Sequence, residues 1–189
     1  MTRIAIFASG GGSNAEAIIS HFKDNLSIEI GLIITNKSTA GVIKRAEIHH
    51  IPYMVVKKSE LNRAESLLPI LSDNQIDFIV LAGFLLLIPS YLVEAFPEKI
   101  VNIHPALLPS YGGKGMYGMN VHRAVKENQE EMSGMTIHYV NHAYDEGKHI
   151  FQASTKIDPT DSSEDIAAKV LNLEHAYYPR VIEYVLKSK

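Results

Sequence analysis

The stretch that decides the fold is Ile4-Ala5-Ile6-Phe7-Ala8-Ser9-Gly10-Gly11-Gly12-Ser13-Asn14-Ala15-Glu16-Ala17-Ile18-Ile19. Its first five residues are apolar without alternation, the pattern of a strand buried on both faces. The next six are small or polar and include three consecutive glycines, so the chain turns there. From Ala15 onward the apolar positions Ala15, Ile18, Ile19 and Phe22 fall on one face of a helix. Strand, glycine turn and helix in this order set the free N–H groups of a helix N-terminus beside a backbone that an anion can approach closely, the architecture of a phosphate site. Ser13 and Asn14 add side-chain donors. The plainer reading is a tight strand-to-helix turn without a ligand; three adjacent glycines favour the phosphate.

Three related motifs fit less well. Gly10, Gly12 and Ala15 match a loose dinucleotide fingerprint, but the second strand ends Thr35-Asn36-Lys37, with no acid for the ribose hydroxyls. No Gly-Lys-Ser/Thr follows to make a Walker loop. Gly11-Gly12-Ser13-Asn14-Ala15 resembles a nucleophile elbow only vaguely, and Ser13 reads as a phosphate donor.

Outward from this stretch, strand and helix signals alternate. Strands are predicted at 28–35, 53–56, 78–82 and 100–103, and helices through Ala46, over 60–72 and over 89–95. Such alternation implies right-handed crossovers and an α/β fold, a mostly parallel, Rossmann-like sheet flanked by helices. Beyond residue 105 the pattern changes. Residues 105–119 are rich in proline and glycine, 121–128 read as a helix, and 135–140 and 149–156 as an antiparallel strand pair. A long C-terminal helix covers 163–187, capped by Ser162 or Ser163 ahead of Glu164 and Asp165, with Pro179 expected to kink or divide it. With no repeat and no long linker, 1–189 reads as a single domain.

Composition narrows the function. A chain of 189 residues with 46% hydrophobic and 21% charged residues can bury a core without staples. The absence of cysteine excludes disulfides, thiolate nucleophiles and cysteine metal sites. A net charge of −3 lacks the basic excess of a nucleic-acid binder. No apolar run is long enough to span a bilayer and no leader pattern is read at the start, so a cytoplasmic protein is expected.

Asn102-Ile103-His104-Pro105 closes the last predicted parallel strand. Residues two apart on a strand face the same way, so Asn102 and His104 both look into the region beyond the strand ends where α/β sheets bind ligands. An amide donor beside an imidazole suits a developing oxyanion. A lone histidine is more often a core or loop residue; the pairing with Asn102 raises the odds. Asp145, in Tyr144-Asp145-Glu146-Gly147, could be no more than an Asx turn, and nothing local pairs it with His104. His138 and His142, followed by His149, lack a metalloprotease pattern; no metal is expected, although His138 could line a site near Asp145. His49-His50 reads as an exposed helix end, and Tyr177, Tyr178 and Tyr184 as helix packing.

At these residues the chain resembles the folate-dependent formyltransferases that act on glycinamide ribonucleotide. The resemblance covers essentially the whole chain. It rests on Ser9-Gly10-Gly11-Gly12-Ser13-Asn14, Leu81-Ala82-Gly83-Phe84, Asn102-Ile103-His104-Pro105-Ala106-Leu107-Leu108-Pro109, Asp145-Glu146-Gly147 and Glu174-His175-Ala176-Tyr177-Tyr178-Pro179. It implies the formyltransferase fold and transfer of the formyl group of 10-formyltetrahydrofolate to the amine of glycinamide ribonucleotide in purine synthesis. It implies Asn102, His104 and Asp145 as the catalytic trio, and Gly12, Ser13 and Asn14 as the ribonucleotide phosphate loop. Glu174 would hold the ribose or glycinamide end. Arg63, the backbone of Leu85, Leu86, Leu87 and Ile88, together with Asn102, Asn141 and Tyr144, would hold the folate. The co-substrate is then 10-formyltetrahydrofolate, the partners are small molecules, and the protein is a monomer or homodimer without metal, nucleic acid or membrane.

Two departures stand out. Many members carry arginine where this chain has Leu86, although the pterin is held there largely by backbone groups. The segment from Tyr111 to Met119 is longer than the usual Pro-Gly version and reads as a loop over the substrate, with Lys114 a candidate phosphate neutraliser. Rival readings are a formyltetrahydrofolate deformylase, which releases formate to water, and a non-catalytic phosphate or nucleotide sensor, which would not need Asn102, His104 and Asp145 together. A tRNA formylating enzyme would need a further domain and a basic surface.

Overall fold

In a computed structural model that describes residues 1–188, the chain divides into two units, Met1–Val101 and Asn102–Lys189. The first unit is built around β1 (Thr2–Phe7). Ile4, Ala5, Ile6 and Phe7 are fully buried, as a run without polar alternation requires. β2 (Ile28–Thr35) and β4 (Phe78–Leu81) pair with β1 in parallel on its two sides, and β3 (Tyr53–Val55) adds outside β2. The order β3-β2-β1-β4 reverses direction between β1 and β4. In open α/β sheets such a reversal opens a crevice at the carboxyl ends of the strands.

The helix after β1, α1 (Ser13–Phe22), buries Ala15, Ile18, Ile19 and Phe22, the four positions its periodicity predicts. Each isoleucine or phenylalanine so buried contributes about 1.5–3 kcal/mol. α2 (Val42–Ile48) follows β2. The single helix predicted over 60–72 is two helices, α3 (Lys58–Leu61) and α4 (Ala64–Asp73). Asn62 closes α3, and Arg63 is extended at φ −118° and ψ 117°. The break has a packing cause. Leu61, Leu67 and Leu71 are all buried, and a spacing of six turns Leu61 away from the face of Leu67 in any straight helix. α5 (Ser90–Ala95) then leads to β5 (Ile100–His104), the strand at which the first unit ends and the second begins.

The second unit contains α6 (Met119–Glu127), β6 (Met132–Tyr139), β7 (His149–Lys156) and α7 (Ser163–Lys187). β6 and β7 are antiparallel, and the register shifts between Ile137 and His138. β6 begins earlier than predicted because Met132, Ser133 and Gly134 pair with Lys156, Thr155 and Ser154. α7 packs on α6, β6 and β7. Its start is a capping box: Ser162 Oγ accepts from Asp165 N–H at 3.1 Å, and the Asp165 carboxylate accepts from Ser162 N–H at 2.9 Å.

Pro179 does not divide α7, which runs unbroken for 25 residues. The lost hydrogen bond and ring clash, about 3 kcal/mol, are outweighed by a buried stripe that continues through the proline: Ile166, Val170, Tyr178, Pro179, Ile182 and Val185. Tyr184, expected to pack, is exposed instead.

Candidate active site

In the first unit the glycine loop is set by contacts to α2. Gly12 adopts φ 72° and ψ 30°, and a Cβ there would lie 2.8 Å from the Val42 Cβ, so the position is restricted to glycine on two counts. Gly10 O accepts from Val42 N–H at 3.1 Å and Gly11 O from Arg45 Nε at 2.7 Å. The loop thereby turns the Gly10 and Gly11 carbonyls onto α2, while Gly12 O accepts from Glu16 N–H at 2.9 Å in the first turn of α1.

Glu16 would place a negative charge in that first turn, but Arg45 Nη1 binds its Oε2 at 2.9 Å and His49 Nε2 its Oε1 at 2.8 Å. Burial raises the Glu16 pKa; the hydrogen bonds and charges of Arg45 and His49 outweigh burial and bring it below the ordinary value. A carboxylate so paired does not repel a phosphate. His49, expected at an exposed helix end, is thus half-buried and hydrogen-bonded to Glu16.

Ser9, almost fully buried, joins this loop to the segment after β4. Its N–H donates to Gly83 O at 3.0 Å; its Oγ donates to Asn36 Oδ1 at 2.6 Å and accepts from Leu85 N–H at 3.0 Å. The glycine loop and the Gly83–Ile88 segment therefore lie side by side where the strand order reverses. Within that segment Leu85 and Leu87 are exposed, Leu86 is half-buried and Ile88 is buried. The N–H of Leu85 is committed to Ser9. Arg63 is exposed at the start of α4.

The second unit holds Asn102, His104 and Asp145 in one cluster, which the family resemblance implied and local sequence reading could not assemble. His104 Nε2 lies 2.7 Å from Tyr111 O. A carbonyl only accepts, so Nε2 carries the proton. Nδ1 of the same ring is 3.4 Å from Asp145 Oδ2, and that oxygen accepts from Gly113 N–H at 3.0 Å. Asp145 Oδ1 accepts from Asn102 Nδ2 at 3.4 Å and lies 3.6 Å from His138 Nε2. His138 Nδ1 donates to Tyr139 O at 2.8 Å, leaving Nε2 to accept from Asn102 Nδ2 at 3.2 Å.

Local backbone explains the convergence. Asp145 sits at φ 57°, in the left-handed region. At Gly147 a Cβ would collide with the Tyr139 carbonyl, so only glycine lets the chain return this close to the end of β6. The register shift at His138 re-aims its ring, a common use of bulges beside active sites.

The charges follow from these contacts. Burial lowers the His104 pKa; the Asp145 charge and the Tyr111 carbonyl raise it, and His138 lowers it further, for a net value below that of an ordinary histidine. Asp145 does favour the imidazolium, as a neighbouring carboxylate must, but desolvation is the larger effect. For Asp145 burial raises the pKa; the nearby His138 ring, the charge His104 carries when protonated and the Gly113 N–H outweigh it and keep the carboxyl below its ordinary value. The site is a partly buried carboxylate beside a neutral imidazole. Both Asn102 N–H groups and the His104 N–H are held by internal acceptors. A developing oxyanion, being charged, binds such donors about twice as strongly as a neutral carbonyl.

Glu174 is buried on α7, and burial, with the Glu174 charge adding to it, holds the Tyr178 hydroxyl well above its ordinary pKa. Asn141 Oδ1 accepts from Ala143 N–H at 3.0 Å, and Tyr144 is exposed, both on the connection that leads to Asp145. Lys114 is exposed. Sequence reasoning offered His138 only as a residue that could line a site near Asp145, and left His122 unassigned. Both are buried, and His122, on α6, has a pKa lowered by burial and by the His104 charge. A signal existed for His138: it is the one histidine of the predicted strand 135–140. Among the described residues, no group of three or more His, Asp or Glu side chains could hold a metal ion, and no helix is long and apolar enough to cross a membrane.

A family model described as Formyl transferase matches residues 2–182. The chloroplastic phosphoribosylglycinamide formyltransferase of Arabidopsis thaliana is 40% identical over 99% of this chain, which spans 66% of that protein, just under two thirds of its length. The phosphoribosylglycinamide formyltransferase of Bacillus subtilis is 38% identical, over 98% of this chain and 95% of its own. Among solved structures, that of phosphoribosylglycinamide formyltransferase from Anaplasma phagocytophilum matches with a TM-score of 0.90 at 32% identity, covering 99% of this chain and 87% of that one.

Proposed function

The chain belongs to the formyl transferase family, and within it we propose that this protein transfers the formyl group of 10-formyltetrahydrofolate to the amine of glycinamide ribonucleotide, giving formylglycinamide ribonucleotide in de novo purine synthesis. The observation that carries the reading is the partly buried cluster in which Asp145 meets both Asn102 and His104. A phosphate sensor has no use for that convergence.

The amine attacks the formyl carbon, forming a C–N bond and a tetrahedral oxyanion. Asn102 and His104 donate to that oxyanion. Asp145, ionised at neutral pH, takes the proton the amine loses, directly or through water, and a proton reaches the folate nitrogen as its bond to carbon breaks. No protein nucleophile takes part. Gly12, Ser13 and Asn14 bind the phosphate through backbone and side-chain donors, and Glu174 binds the ribose or glycinamide end. The backbone of Leu85, Leu86, Leu87 and Ile88, with Arg63, Asn102, Asn141 and Tyr144, binds the folate. The partners are small molecules, the compartment is the cytoplasm, and the protein acts as a monomer or homodimer.

The test is formyl transfer by the purified protein from a 10-formyl folate, followed by absorbance, with and without glycinamide ribonucleotide. Release of deformylated folate only with the ribonucleotide present, and a product heavier by one formyl group, is the expected result. Release without acceptor makes the protein a deformylase, and no release with both ligands bound makes it a sensor.

A further inference from the structure

We propose that Thr136, together with Gln152 across the β6–β7 pair, is a positioning residue for His104: it clamps the turn from Ala106 to Leu108, so that the Tyr111 carbonyl lands on His104 Nε2. The consequence for catalysis rests on the function proposed above; the clamp itself does not.

Thr136 is fully buried on β6, opposite Gln152. Its Oγ1 donates to Ala106 O at 2.7 Å and accepts from Leu108 N–H at 3.0 Å. It also accepts from Gln152 Nε2 at 2.8 Å. A hydroxyl has one hydrogen and two lone pairs, so every valence is used. Gln152 Nε2 spends its other hydrogen on Leu108 O at 3.0 Å. One hydroxyl and one amide group thus hold both ends of a turn that starts two residues after His104. Ser110 N–H closes the turn on Leu107 O at 3.2 Å.

Tyr111 follows directly, at φ 57°, and its phenol is fixed separately, donating to Glu130 Oε1 at 2.6 Å and accepting from Asn128 Nδ2 at 2.8 Å. Its carbonyl is therefore set from both sides, and that carbonyl draws the His104 proton to Nε2. With the proton there, Nδ1 presents its lone pair on the Asp145 side. A carbonyl displaced by even 1 Å leaves the ring free to move its proton to Nδ1, toward the carboxylate, and turns the donor needed at Nε2 into an acceptor.

A merely structural polar pair would affect stability and leave the ring state alone, which separates the two readings. The experiment is ring-nitrogen NMR of the full chain carrying ¹⁵N-histidine, above the histidine titration range and without substrate, with the His104 signals assigned by loss in His104→Asn. The wild type should show a protonated Nε2 and a bare Nδ1. Thr136→Val should populate the opposite tautomer, Thr136→Ser should restore the wild-type pattern, and Gln152→Ala should shift it partway. In formyl transfer, Thr136→Val should lower kcat by about 10²-fold, the scale of a 1 Å misplacement, with KM for the ribonucleotide little changed. A wild-type ring pattern in folded Thr136→Val overturns the proposal. Should that variant not fold, an unshifted ring pattern in Gln152→Ala, which changes an exposed residue, overturns it instead. Because the spectra need no substrate, they report on the clamp even if formyl transfer is absent.

Discussion

Replacing Asp145 with asparagine keeps the shape of a side chain that is 10% exposed and removes its charge. The charge matters when a cation forms beside it, on His104 or on the attacking amine. At the 3.4 Å separation of His104 Nδ1 and Asp145 Oδ2, a full ion pair in a medium of effective dielectric near 20 is worth about 5 kcal/mol. Water reaching the open site reduces this. At about 1.4 kcal/mol per decade the expected loss in kcat is roughly 10²–10⁴-fold, the range of a lost general base. The variant is also destabilised. An amide nitrogen in place of Oδ1 confronts the Asn102 amide, and in place of Oδ2 it confronts the Gly113 N–H. Either orientation leaves a buried donor without its acceptor, costing about 1–3 kcal/mol. Steady-state kinetics with both substrates varied, alongside urea unfolding, measures the two effects separately. A kcat within threefold of wild type, with only KM raised, would refute the proton-transfer role and reduce Asp145 to a binding residue.

Stability should fall with acid in two stages. Burial holds His104 and His122 below the ordinary histidine value of 6.5, so the unfolded chain takes up their protons first and stability declines as pH drops through that value. Asp145, held below its ordinary value of 3.8, contributes stability above that value and loses it as pH falls through its lower folded pKa. Urea midpoints against pH should show both declines; a His104→Asn protein that falls just as steeply in the first stage would contradict the assignment. Gly147→Ala should destabilise by about 1–3 kcal/mol, because the new Cβ meets the Tyr139 carbonyl. It should also lower kcat by moving Asp145; an unchanged unfolding midpoint would show that the close approach is not needed. Arg45→Ala frees Gly11 O and leaves Glu16 negative in the first turn of α1, so calorimetric affinity for the ribonucleotide should drop about tenfold, from two lost interactions of about 0.5–1 kcal/mol each. Glu16→Gln in that background should recover part of the loss, and a double variant no better than Arg45→Ala would argue against the electrostatic account.

Local physics was legible in the sequence. The buried face of α1 follows from helical period, β1 from an uninterrupted apolar run, and the turn between them from three glycines. Asn102 and His104 could be paired because two residues apart on a strand face one way. Where several effects compete, local reading failed: the burial demands of Leu61 and Leu67 broke one predicted helix in two, and a long apolar stripe carried α7 through Pro179.

The sequence by itself determined the α/β class, the glycine loop with its helix, and an amide–imidazole pair at a strand end, since each depends on neighbours within one turn or one pleat. Only the tertiary structure decided that Asp145 and His138 join that pair, that His104 stays neutral with its proton on Nε2, and that Arg45 neutralises Glu16. Those outcomes depend on a register shift in β6, on the close approach at Gly147 and on how much water burial removes. Each is set by residues far apart in the chain, and no periodicity records which distant loop returns to which strand end.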